Sequence, residues 1–126
     1  MSLNKLLRLQ IWYCLIGIVF NLISWIFIKN DYQPLTPTVP MVGIFVMLTY
    51  SIFLLAGYFR KIYLYRALMF LSILIFAYGG VLKHVYSLYQ YPELYNTIYS
   101  GLVAIAINAF GLALNMMATL GKFKLS

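Results

Sequence analysis

Charge is scarce in this sequence, and acid is scarcest: Asp31 and Glu93 are the only carboxylate side chains, against nine Lys and Arg, in 126 residues. Neither acid falls within an apolar run. That disfavours a proton- or sodium-coupled carrier, which places a costly ionisable group at membrane depth. It also disfavours a paired-aspartate membrane protease. The single cysteine, Cys14, excludes an intrachain disulfide and a Cys-x-x-Cys redox pair. Cys14 reads instead as a small hydrophobic residue. The single histidine, His84, cannot supply both axial ligands of a b-type haem. Six methionines are scattered rather than clustered as a soft-metal site requires. The chain therefore presents no catalytic, metal or cofactor motif.

What the sequence does have is apolar length. Hydrophobic residues make up 64% and charged residues 9%, against about 45–50% and about 25% in an average globular domain. Such a chain cannot cover a water-facing surface, but it suits a lipid-facing one. The net charge of +7 does not point to nucleic acid, because the basic residues sit in ones and twos at the ends of apolar runs.

Four such runs predict an all-α, polytopic membrane protein: a four-helix bundle forming one transmembrane domain over 1–126. The spans are placed at about 9–28, 41–59, 64–83 and 97–120, near the length of about 20 residues that a bilayer core requires. The uncharged part of the third, 67–82, is only sixteen residues long. It crosses if Arg66 and Lys83 lie along the helix and snorkel to opposite interfaces. The first run is too long for a signal-peptide core and has no small-x-small cleavage site after it, so it reads as a retained span.

Orientation follows from the basic residues. Lys5, Arg8, Arg60, Lys61, Arg66, Lys122 and Lys124 fall on one side, and Lys29 and Lys83 on the other with both acids. Seven against two predicts that both termini are cytoplasmic, in a plasma membrane, with a bacterial inner membrane as the default. Of the two outer loops, the first carries Pro34, Pro37 and Pro40 and is expected to be extended, with Pro40 in the first turn of the second helix. The second is rich in tyrosine, which favours the headgroup layer. Within it, Pro92-Glu93 is suited to start the fourth helix, with Glu93 at the positive end of the helix dipole.

The most patterned feature is a seam of small and amide residues in the fourth span: Gly101, Ala104, Asn108, Gly111, Asn115 and Ala118, at alternating spacings of three and four. In lipid, close backbone approach and interhelical hydrogen bonds drive association. The seam therefore serves packing within the bundle, a partner interface, or a polar lining for a solute path. Asn21, Thr49, Ser51, Ser72 and Tyr78 are candidate partners for its amides, although Ser and Thr also bond their own helix backbone. A second candidate is an outer-face polar site of Lys83, His84, Glu93 and Asp31, able to meet a lipid headgroup or a quinone. Gly79-Gly80 beside it would admit a neighbouring helix. Arg60, Lys61 and Arg66 would meet anionic headgroups or a partner's acidic surface.

The glycine-rich motif of fluoride channels, the first-span glutamate of small multidrug carriers and the paired cysteines of vitamin K epoxide reductase-like enzymes are all missing. The leading expectation is a non-enzymatic subunit or accessory protein of a larger membrane assembly. Its partners would be the bilayer and other membrane subunits or further copies of itself. The alternatives are a small oligomeric transporter or channel, and a lipid-modifying enzyme with an outer-face site.

Overall fold

A computed structural model describes residues 1–125 of the chain, which are almost entirely helical. The helices are α1 (Leu3–Lys29), α2 (Pro40–Tyr58), α3 (Ile62–Phe76), α4 (Lys83–Gln90) and α5 (Ile98–Thr119). A π-helical segment, Ala77–Leu82, joins α3 to α4 without a break, so the third span is one helix over Ile62–Gln90. Four helices are thus long and apolar enough to cross a membrane. α1 packs on α2 and α5, and α3 packs on the same two, so the spans form a four-sided ring. The two ends of the described residues meet at one end of this ring: Leu3 N–H donates to the Lys124 carbonyl at 2.7 Å, and Lys124 N–H to that of Met1 at 2.9 Å. That end, with the Arg60-Lys61 turn, is the basic end. The other is the loop end.

Local chemistry explains the helix limits. The Ser2 hydroxyl caps α1 by accepting from Lys5 N–H, and Pro40 occupies the first turn of α2, where its missing donor costs nothing. Thr97 and Ser100 form a capping box at the start of α5. Three helices end in the same left-handed turn, with Asp31 (φ 61°), Arg60 (φ 60°) and Gly121 (φ 69°) just past their last residues. In each, the next N–H reaches back to a carbonyl of the last turn: Tyr32 to Phe27, Lys61 to Ala56 and Lys122 to Met117. Two of the three turns lack the glycine that usually marks them, so they leave no glycine signal in the sequence.

The helices extend further than the apolar runs indicate. α1 begins at Leu3, six residues before the apolar run, because Lys5 and Arg8 sit on its exposed side without interrupting it. The third span runs past 64–83 at both ends, adding the amphipathic α4. Pro92-Glu93 does not start the fourth span. It forms an isolated 3-10 turn, Pro92–Leu94, and α5 starts four residues later, where Thr97 supplies a cap that Tyr91 does not. Arg66 does not snorkel freely either. Its Nε donates to the Thr119 carbonyl at 2.9 Å, satisfying the C-terminus of α5.

Candidate functional site

The centre of the bundle is layered. Nearest the basic end, one side chain from each span meets in a buried polar network. Tyr65 of α3 donates to Gln10 Oε1 of α1 at 2.6 Å. Gln10 Nε2 donates to Asn115 Oδ1 of α5 at 3.2 Å, and Tyr50 of α2 donates to the same oxygen at 2.6 Å. Gln10, Tyr65 and Asn115 are wholly buried and Tyr50 nearly so. Asn115 Nδ2 has no partner among the described residues, so the network is not saturated.

Above it, Tyr13, Tyr50 and Phe76 form a closed trio. Their ring centroids lie 5.5–5.6 Å apart, and each pair is edge to face, the arrangement favoured by aromatic quadrupoles. Gly111 lies against the Tyr13 ring, and any Cβ there would collide with it. The Tyr13 hydroxyl passes alongside and donates to Asn108 Oδ1 at 3.1 Å. Gly80, in the π segment, makes room for that same amide: a Cβ on it would stand 2.6 Å from Asn108 Cγ.

Beyond the trio, toward the loop end, the bundle is hollow. A cavity of about 240 Å³ lies among all four spans, with Phe76 in its floor. Its polar lining comprises Asn21, Thr36, Thr38, Lys83, His84 and Asn108. The π segment and α4 lean on α5, so the third span parts from α2 here. Val42 on one side of this gap and Ile75 and Tyr78 on the other line the cavity while facing outward, Tyr78 being 72% exposed. The cavity therefore opens sideways, toward where the acyl chains of a bilayer would lie.

At the loop end, side-chain contacts join the third span to the two loops beside it. His84 is buried, with Nδ1 2.8 Å from the Tyr95 hydroxyl and Nε2 3.4 Å from Thr38 Oγ1. Burial pushes the Tyr95 phenol above its ordinary pKa, so at neutral pH it stays a protonated donor. The two loops of the loop end are tied together over the cavity. Asn96 N–H donates to the Pro34 carbonyl and its Nδ2 to that of Gln33, Gln33 Nε2 donates to the Glu93 carbonyl, and Ser100 Oγ to the Leu35 carbonyl. Leu35 N–H donates in turn to buried Ser24 of α1. The proline-rich loop thus dips into the bundle and puts Thr36 and Thr38 on the cavity wall.

The candidate residues are divided by this arrangement. Gly101, Ala104, Gly111, Asn115 and Ala118 are buried inside the bundle, and Asn108 is half-buried between Tyr13 and the cavity. Lys83 and His84 line the cavity, but Glu93 and Asp31 are exposed outside its lining. The suggested partners of the amides are not their partners. Asn21, Thr49, Ser51 and Ser72 each bond a carbonyl of their own helix, and the Tyr78 side chain faces outward. The residues that do bind them, Gln10, Tyr13 and Tyr50, together with Tyr65, pass unnoticed in the sequence. Gln10 is the second residue of the first apolar run, Tyr13 and Tyr50 lie inside apolar runs, and Tyr65 reads as an apolar extension of the third. A helix-face plot gives one signal, since Gln10 and Tyr13 share a face with Gly17. Comparison with protein families, characterised proteins and solved structures finds no match to this chain.

Proposed function

We propose that this chain is a non-enzymatic, accessory component of a plasma membrane that holds the polar head of an amphipathic molecule in its loop-end cavity. The observation that carries this reading is the asymmetry of the cavity: His84, Thr38 and Asn21 line its interior, while Val42, Ile75 and Tyr78 flank a sideways opening. A head that wants hydrogen bonds and a tail that wants lipid are accommodated by the same site. The seven-to-two basic bias supports an orientation with both termini in the cytoplasm, and a bacterial inner membrane is the default we adopt; in that orientation the cavity lies in the outer leaflet.

The alternatives have less behind them. A solute path would have to pass the Tyr13–Tyr50–Phe76 trio and the Gln10–Asn115 network, which fill the bundle below the cavity. An enzyme using Lys83, His84 and Glu93 would lack its carboxylate, because Glu93 lies outside the cavity lining. The seam of α5 is taken up inside the chain, so a partner subunit would dock on another face.

Mass spectrometry of lipid extracted from protein purified in a mild detergent tests the reading. Val42 is exposed at the mouth, so Val42→Trp should close the opening without disturbing the core. Wild-type protein is expected to retain about one amphiphile per chain and Val42→Trp to lose it. Equal retention by both would overturn the reading.

A further inference from the structure

We infer that the head this cavity takes is anionic and phosphate-bearing, that of an anionic phospholipid, with Lys83, His84 and Thr38 as its contacts; this rests on the cavity being a binding site at all. The charge pattern comes first. Lys83 is the one formally charged residue of the lining, and no carboxylate accompanies it. Both acids of the chain are exposed elsewhere, Asp31 at the end of α1 and Glu93 in the 3-10 turn. The cavity therefore carries an uncompensated positive charge at its rim. A cationic head would be repelled by it, while an anionic oxygen would gain a charge-assisted hydrogen bond.

Donor chemistry agrees. His84 Nδ1 lies 2.8 Å from the Tyr95 hydroxyl, which also reaches the His84 carbonyl at 3.4 Å, and Nε2 lies 3.4 Å from the Thr38 hydroxyl. In the tautomer protonated on Nε2, the ring N–H and that hydroxyl form a donor pair. Two adjacent donors then face the cavity with Lys83, a set suited to the several acceptor oxygens of a phosphate. The amides are secondary in that role: one N–H of Asn108 Nδ2 is used on the Ala104 carbonyl and one of Asn21 Nδ2 on that of Gly17, which leaves each a single further donor.

Size sets the limit. About 240 Å³ is less than the roughly 300–1,000 Å³ of sites that enclose a whole drug-sized ligand. A headgroup fits and acyl chains do not. The chains leave through the gap between Val42 and Ile75, where the exposed side chains are apolar.

The test is native mass spectrometry of the full chain in mild detergent, titrated separately with phosphatidylglycerol, phosphatidylcholine and a short-chain quinone. Cations at the basic end also attract anionic lipid, so the quantity read is the component abolished by Val42→Trp. In that component, phosphatidylglycerol is expected to bind at least about tenfold more tightly than the other two. Lys83→Gln, at an exposed position, should weaken it about tenfold and leave phosphatidylcholine unchanged, with Thr38→Val acting in the same direction. No component sensitive to Val42→Trp with any probe would overturn the cavity as a binding site. A sensitive component that takes phosphatidylcholine or quinone equally well, or ignores Lys83→Gln, would overturn the anionic head alone.

Discussion

Tyr50 donates its phenolic proton to Asn115 Oδ1 at 2.6 Å, joining α2 to α5 across the ring and 65 residues of sequence. Gln10 donates to that same oxygen while accepting from Tyr65, so the four spans are pinned to one another at one level. Tyr50→Phe removes one bond and is expected to cost about 0.6–1.7 kcal/mol, the range for hydrogen bonds between membrane helices. Asn115→Leu orphans the Tyr50 hydroxyl and leaves Gln10 Nε2 only Met69 Sδ at 3.2 Å, so it should cost more than Tyr50→Phe, about 1–3 kcal/mol for the orphaned hydroxyl alone. Ser51→Ala is the control, because Ser51 bonds only the Leu48 carbonyl of its own helix. Equilibrium unfolding in mixed micelles reads all three.

The adjacent glycines of the π segment should respond differently to the same substitution. A Cβ on Gly80 would stand 2.6 Å from Asn108 Cγ, whereas one on Gly79 meets nothing within 4 Å. Gly80→Ala is expected to lose about 1–3 kcal/mol through overpacking, and Gly79→Ala to be neutral within about 0.5 kcal/mol. Gly111→Ala should behave like Gly80→Ala, because it drives the Tyr13 ring out of its trio. Thermal melts followed by circular dichroism would separate these cases.

The start of α5 offers a local test. Thr97 Oγ1 accepts from Ser100 N–H at 3.1 Å, and Ser100 Oγ from Thr97 N–H at 3.2 Å. Thr97→Ala should cost about 1 kcal/mol. Faster hydrogen exchange is expected in the first turn of α5 and in the proline-rich loop, which Ser100 Oγ holds through the Leu35 carbonyl at 2.6 Å. Exchange confined to the Ile98–Gly101 amides would show that the two loops of the loop end are not coupled.

Orientation is tested by labelling intact cells with an impermeant maleimide, using Cys14→Ala as background. Tyr32 and Lys61 are both exposed, at opposite ends of the bundle. Tyr32→Cys should label from outside and Lys61→Cys should not. The reverse pattern would invert the topology.

The spans were legible because lipid imposes one strong rule, an unbroken apolar length, which the four runs satisfy. Their ends were less so, since Lys5 and Arg8 stop an apolar run without stopping a helix, and the turns at Asp31 and Arg60 carry no glycine. The seam on α5 was visible because Gly101, Gly111 and Asn115 recur at helical spacing. Its partners were not, because hydropathy counts Tyr13, Tyr50 and Tyr65 with the apolar or interfacial residues, and choosing a partner depends on how helices far apart in sequence meet. The cavity was half visible. Lys83 and His84 stood out as rare ionisable groups, but Thr36 and Thr38 enter only because Ser24 and Ser100 draw the proline-rich loop inward. Glu93 left the site because α5 is capped by Thr97 and not begun by Pro92.

In the proposed complex an amphiphile sits with its head in the loop-end cavity and its tail between α2 and the third span. Photocrosslinking with a phospholipid bearing a diazirine near its head, followed by peptide mapping, tests it most directly. Crosslinks concentrated at 38–46 and 75–84, and lost in Val42→Trp, are the expected result. Crosslinks spread evenly around the bundle, including the outward face of α1 and α2 at Ile11 and Ile52, would contradict it.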